Sequence, residues 1–364
     1  MPYQAKNYTH IQHIAFEAPT FEANTYGNES YTSKLKTNIN LPYAQNLSTD
    51  VKNRILTVVH LIQTAQQTLI KNGSDAPTCL KVFTIPEFYF RPDKAEANCL
   101  DRSYSENTKN AIVKNLRSML GRPDYKDWLF VLGSIIWTVK LNKMEGLNPT
   151  LANVNDTDKG VRNTCMMMKG GSTDAPIQLF DKVHLSSINE ITEAAWSGKH
   201  FNALQARPKI SAFFESFNSR KNCLFKFDNL TICAEICLDH HNQLRVAQKT
   251  LVEMALLGQK EKAHLHFVIA CGMPIEQESI SCKQDGYLIR NDGHGGTKPF
   301  SQTVLVNFMK KDYCEFKNST GQSLKREDMA NWSYPDSKNS INNKADRNHL
   351  TEGLTYFTPQ SLPA

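Results

Sequence analysis

Three side chains along this 364-residue chain carry chemistry, in a fixed order. Glu87 follows the apolar run Val82-Phe83-Thr84-Ile85-Pro86. Lys182 lies within Phe180-Asp181-Lys182-Val183-His184-Leu185. Cys237 ends Leu230-Thr231-Ile232-Cys233-Ala234-Glu235-Ile236 and precedes Leu238-Asp239-His240-His241. A thiol attacks an amide or nitrile carbon as the thiolate, or with a base beside it. A carboxylate at the end of an apolar strand is partly desolvated, which suits a general base. An ammonium offers fixed positive charge to a tetrahedral intermediate, and the backbone N–H of Leu238 could donate to the same oxyanion. The three groups together predict cleavage of a carbon–nitrogen bond through a cysteine thioester.

Periodicity shows which elements must place these groups. Ser48 or Thr49 reads as an N-cap, and Val51, Ile55, Val58, Ile62, Ala65 and Leu69 recur at helical spacing up to Asn72-Gly73. The buried strand over residues 80–85 then delivers Glu87. A second helix is predicted over 105–120, closed by Gly121 and Pro123, followed by a strong strand over 128–137. Two adjacent strands, 161–168 and 177–185, are joined by Lys169-Gly170-Gly171-Ser172 and bring in Lys182. A pair over 224–227 and 230–236 turns at Asp228-Asn229 and delivers Cys237, where the following helix should favour negative charge. That helix carries Leu244, Ala247, Leu251 and Met254 and stops at Gly258. A strand over 265–270 and a hairpin turning at Asn291-Asp292-Gly293 close the core. Residues 11–16 read as a first strand, 18–47 as an insertion, and 309–364 as a polar extension. Interleaved strands and helices, with hairpins among them, predict a layered α/β protein.

Composition narrows the class. Hydrophobic residues at 40% support a sizeable core, and charged residues at 21% do not suggest global disorder. The net charge of +6 is mild and scattered without a dense Lys/Arg run, so no nucleic-acid partner is expected. The start lacks an apolar leader, and no stretch approaches the roughly 20 apolar residues of a membrane span. A soluble protein with no membrane partner is expected from that, and nine cysteines without framework spacing predict reduced thiols and hence a cytoplasmic setting.

These residues resemble the nitrilase, or carbon–nitrogen hydrolase, superfamily. Its Pro-Glu after a buried strand matches Pro86-Glu87, its Lys-x-His-Leu matches Lys182-Val183-His184-Leu185, and the Glu-Ile-Cys-x-Asp of its glutamine-hydrolysing branches matches Glu235-Ile236-Cys237-Leu238-Asp239. Gly133-Ser134, Asn163-Thr164 and the strand from His264 to Cys271 are supporting matches. The resemblance spans about residues 50–308. It implies a four-layer α-β-β-α sandwich over 1–308 and a Glu–Lys–Cys triad. It also implies a second glutamate near the lysine, Glu190 or its close competitor Glu193. No cofactor is implied. The expected substrate is a small amide, carbamoyl compound or nitrile, with amides favoured, and the expected assembly is a homodimer or larger homo-oligomer. Where several branches carry an aromatic or Pro-Glu segment after the nucleophile, this chain has His240-His241-Asn242-Gln243, so the substrate does not carry over.

Rival readings compete at single positions. Cys233 is a second candidate nucleophile; strand alternation puts it on the same face as Cys237, and position at the strand end favours Cys237. Asp239, His240 and His241 with His264 and His266 suggest metal ligands, but no spacing fits a zinc signature and no metal is expected. A Cys237–His240 dyad would need partners too close in sequence. A non-catalytic binding or scaffold protein on the same fold is the remaining alternative.

Overall fold

The computed structural model describes residues 5–18, 20, 39–92, 96–99, 102–140, 159–183, 223–256, 262–294, 301–306, 353–357 and 359–362. Five strands and two helices make up its first half: β1 (His10–Glu17), α1 (Thr49–Lys71), β2 (Cys79–Ile85), α2 (Glu106–Leu120), β3 (Trp128–Lys140), β4 (Lys159–Lys169) and β5 (Ile177–Asp181). The second half holds β6 (Leu224–Phe227), β7 (Leu230–Ile236), α3 (Val246–Leu256), β8 (Ala263–Ala270), β9 (Cys282–Asp292), β10 (Ser301–Leu305), β11 (Gly353–Tyr356) and β12 (Gln360–Ser361).

These strands form two mixed sheets, one in the order β11-β1-β2-β3-β4-β5 with β12 also on β1, the other in the order β10-β9-β8-β7-β6. Both follow one plan. Parallel neighbours sit at the centre, β1-β2-β3 in one sheet and β7-β8-β9 in the other. Antiparallel strands flank them. Parallel neighbours require a crossover, and α1, α2 and α3 occupy the intervals β1–β2, β2–β3 and β7–β8. Glu87 and Cys237 therefore follow the ends of parallel strands, where an open α/β sheet commonly places its ligand site.

Sequence chemistry accounts for the helix ends. The Ser48 hydroxyl accepts from the Val51 N–H, and Asn72 closes α1 through its own N–H to Ile70 and Thr68 carbonyls. Ser105 caps α2 in the same way through Thr108. On β2 and β3 the side chains alternate between two clusters. Phe83, Ile85, Phe130 and Leu132 pack with Val51, Ile55, Val58 and Ile62 of α1 and Ile112 and Leu116 of α2. Leu80, Val82, Leu129 and Val131 pack instead with Ile232, Ala234, Ile236, Leu265 and Phe267 of the other sheet. Each such fully buried side chain contributes roughly 1.5–3 kcal/mol.

Two expectations change here. The Asn291-Asp292 pair is strand, not turn: Asn291 pairs with Ser301, and its side-chain amide donates to the Phe16 and Thr84 carbonyls. A buried amide that links both sheets imitates a turn signal in sequence. Part of the polar extension also returns to the core, since β11 and β12 both pair antiparallel with β1. Leu354 and Phe357 are buried there and cover an edge that would otherwise offer open backbone groups. No helix among the described residues is long and apolar enough to cross a membrane.

Candidate active site

Glu87 stands two residues beyond the end of β2, after Pro86, which has no N–H to extend the ladder. Its own N–H donates to the Ala270 carbonyl at the end of β8, 3.3 Å away on the opposite sheet. The carboxylate is fully buried. Its Oε1 accepts from Lys182 Nζ and from Asn163 Nδ2, each at 2.8 Å. Behind this turn, β3 shifts register between Val131 and Ser134, and Gly133 takes φ +62°. A Cβ on Gly133 would fall 2.5 Å from the Pro86 carbonyl oxygen. Ser134 Oγ accepts the Phe88 N–H at 2.9 Å, steadying Phe88 in its own left-handed conformation, φ +63°. The Gly133-Ser134 pair thus supports the Glu87 turn from behind.

Lys182 follows β5 directly, because that strand ends at Asp181 rather than at residue 185. Its N–H donates to the Asn163 carbonyl at 2.8 Å, prolonging the pairing with β4 by one residue. A lysine beside a hairpin strand is usually solvated, yet this one is 1% exposed, with Nζ 5.6 Å from the Phe88 ring centre. Two opposite charges buried together hold each other in place, since either alone would be desolvated without compensation.

Cys237 opens a short 3₁₀ turn, Cys237–His240, at φ +49°. A left-handed non-glycine residue costs on the order of 1–3 kcal/mol. This bend separates the two cysteines and corrects the expectation that they share a face. Cys233, within the strand, clusters with Cys223, Ala247 and Ala263 beside α3. Cys237, past the bend, joins the cluster between the sheets. Burial pushes the Cys233 thiol well above its usual range. Cys237 Sγ lies 3.9 Å from the Cys271 carbonyl. Glu87 and Cys237 therefore meet adjacent peptide units, Ala270 and Cys271, from opposite sheets. The Asp239 carboxylate accepts the Val183 N–H at 2.9 Å, which ties the Cys237 turn to the residue after Lys182. Arg290, buried and paired with Asp292, lies close enough to Cys237 for their charges to interact.

The amino end of α3 serves a different group from the one expected. Its Ala247 N–H donates to Glu235 Oε1 at 2.6 Å, so the helix start supports Glu235. Among the histidines, His264 Nδ1 accepts the Thr231 N–H at 3.0 Å, apart from the others. His240 and His266 do converge, both on Glu235. Glu190 and Glu193 lie outside the described residues. Sequence alone marks Asn163 only as part of a motif, whereas the structure makes it a second partner of Glu87. An amide amid the apolar residues of a buried strand is the signal that singles it out. The tie from Asp239 to Val183 has no signal in sequence, because the two segments meet only in the fold.

No protein-family model matches the chain, and no curated protein matches it. Solved structures of similar fold include the following two. One is a cysteine-to-alanine mutant of the amidase from Nesterenkonia sp. AN1 in complex with butyramide: 13% identity, 99% of this chain and 93% of that chain covered, TM-score 0.41. The other is a CN-hydrolase superfamily protein from Xanthomonas campestris with an arsenic adduct in its active site: 10% identity, 98% and 91% covered, TM-score 0.41. The likeness is remote.

Proposed function

We propose that this chain is a hydrolase that cleaves a non-peptide carbon–nitrogen bond, in an amide, carbamoyl compound or nitrile, through a thioester on Cys237. One observation carries the reading. A fully buried Glu87–Lys182 pair, 2.8 Å apart, adjoins the strand end where Cys237 leaves β7 in a left-handed turn. On an amide, Glu87 takes the thiol proton as sulfur attacks the carbonyl carbon. Lys182 and the Leu238 N–H hold the oxyanion. Collapse breaks the carbon–nitrogen bond, and Glu87 returns its proton to the departing amine. Glu87 then deprotonates a water, which attacks the thioester; the carbon–sulfur bond breaks, and the thiol regains that proton. Atoms and electrons balance without a cofactor.

Glu190, or its competitor Glu193, is the fourth member of this proposed set. The layering belongs to this reading as well: α1 and α2 outside the first sheet, the two sheets face to face, and α3 outside the second give an α-β-β-α sandwich. The separate clusters on the two faces of β2, β3 and β7 support it. A small-molecule substrate, a cytoplasmic setting and a homodimer or larger homo-oligomer complete it.

The test is ammonia release over a panel of amides, carbamoyl compounds and nitriles. Cys237→Ala should lose roughly 10³-fold or more of the rate while its circular dichroism stays native. Full activity in that variant sinks the assignment, and loss in Cys233→Ala alone moves the nucleophile. No ammonia from any compound, with Cys237 inert to thiol probes, leaves a non-catalytic binding protein. A mass shift at Cys237 under turnover would identify the acyl group.

A further inference from the structure

Beside the proposed nucleophile lies a buried cluster that the mechanism does not use. Glu235 precedes the Cys237 turn, His240 ends it, and His266 faces both from β8. All three are buried, and their ligand atoms lie within 4.8 Å of one another. Two imidazoles and a carboxylate have the composition of a zinc site.

Hydrogen bonding assigns them differently. His240 Nδ1 is 2.8 Å from Glu235 Oε2, while its Nε2 accepts the Glu276 N–H at 3.1 Å. His266 Nε2 is 2.9 Å from the same carboxylate oxygen, while its Nδ1 accepts the Ser281 N–H at 3.3 Å. A backbone N–H needs a lone pair, and a neutral imidazole has one lone pair and one N–H. Both lone pairs therefore point outward to the backbone, and both ring N–H groups point inward to Glu235. A metal between the rings would need the reverse, leaving N–H against N–H at Glu276 and Ser281. An imidazolium would meet the same conflict. The second Glu235 oxygen accepts the Ala247 N–H at 2.6 Å, so the carboxylate is bonded on both sides.

We infer that Glu235, His240 and His266 form a metal-free, proton-locked clamp that positions the Cys237 thiol, a role that rests on the nucleophile assignment above. The clamp grips the chain on both sides of Cys237 and ties it to β8, to the start of α3 and to the backbone at Glu276 and Ser281. Hydrogen bonds to a buried carboxylate are among the strong ones, and they hold a left-handed residue that would otherwise relax. His240 and Glu235 are positioning residues: they act on the reaction only through Cys237.

Two arms test this on the full-length protein. The first uses the amide from the panel that releases ammonia fastest. His240→Leu removes the N–H that Glu235 accepts, whereas His240→Asn keeps a donor at the Nδ1 position. The leucine variant should lose about 100-fold in kcat with little change in KM, and the asparagine variant should recover most of it. Equal kcat in wild type and His240→Leu overturns the clamp. The second arm needs neither substrate nor variant. Nitrogen-15 spectra of the wild-type imidazoles should show His240 protonated at Nδ1 and His266 at Nε2. The opposite tautomers, or stoichiometric zinc in the purified protein, overturn the clamp and leave the Cys237 reading intact. Expected tautomers in a protein that turns over no compound overturn the nucleophile reading, and with it the positioning role.

Discussion

Glu87 and Lys182 belong together energetically as well as chemically. Each is buried, and their ion pair is joined by the Asn163 amide. Removing one partner of a buried pair costs about 3–5 kcal/mol, because the survivor stays desolvated and uncompensated. Glu87→Gln and Lys182→Met should each lower unfolding free energy by about that amount, and the double variant should recover much of the loss while remaining inactive. Urea denaturation of the set, with ammonia release alongside, measures both quantities. Strictly additive losses would mean that the pair is not coupled. At this scale Glu87 and Cys237 are legible from residue type and position at a strand end. The role proposed for Lys182 rests on family resemblance, since nothing local foretells its burial.

Among the elements, the bulge in β3 sets the Glu87 turn. Gly133 sits against the Pro86 carbonyl with φ +62°, so Gly133→Ala brings both backbone strain and a clash. That substitution should cost about 1–3 kcal/mol in thermal or denaturant unfolding. It should also lower kcat more than KM, because displacement of Pro86 carries Glu87 with it. Unchanged stability and rate would show that the turn does not depend on this contact. Helix caps at Ser48 and Ser105 follow directly from local chemistry. The separation of Cys233 from Cys237 does not: alternation holds only while the strand stays extended, and Cys237 has already left it.

Across the whole molecule, pH acts through groups buried between elements. His13 of β1 is bonded to Thr84 of β2 at 2.8 Å and to Thr303 of β10 at 2.7 Å, and it stacks on Phe357. Burial lowers its pKa to about 3. The unfolded chain binds a proton near 6.5 that the fold refuses, so stability is full above that value and falls as pH drops from 6.5 toward 3. The full span is worth up to about 5 kcal/mol. His266, lowered chiefly by burial, contributes in the same direction. Glu235 acts in a lower window. Burial opposes its charge, but hydrogen bonds from His240 and His266 outweigh that and bring its pKa to about 2. Its contribution is complete above about 4.5 and is lost as pH falls from there toward 2. Denaturation midpoints of the wild type should therefore fall between pH 6.5 and 4.5. His13→Gln should flatten that slope; an unchanged slope would assign it elsewhere.

The sequence by itself determined the order and type of the elements from β1 to β10, the ends of α1 and α2 and the strand ends bearing Glu87 and Cys237. Those features follow from side-chain period, capping chemistry and the absence of a donor at proline, all local properties. Tertiary structure alone decided which groups meet. Lys182 and Asn163 close on Glu87 from neighbouring strands, Asp239 reaches the residue after Lys182, and His240 and His266 converge on Glu235. It also turned an apparent Asn-Asp-Gly turn into strand and returned part of the polar extension to the edge of β1. Hydrogen bonds between residues far apart in the chain depend on packing, and no local pattern encodes them.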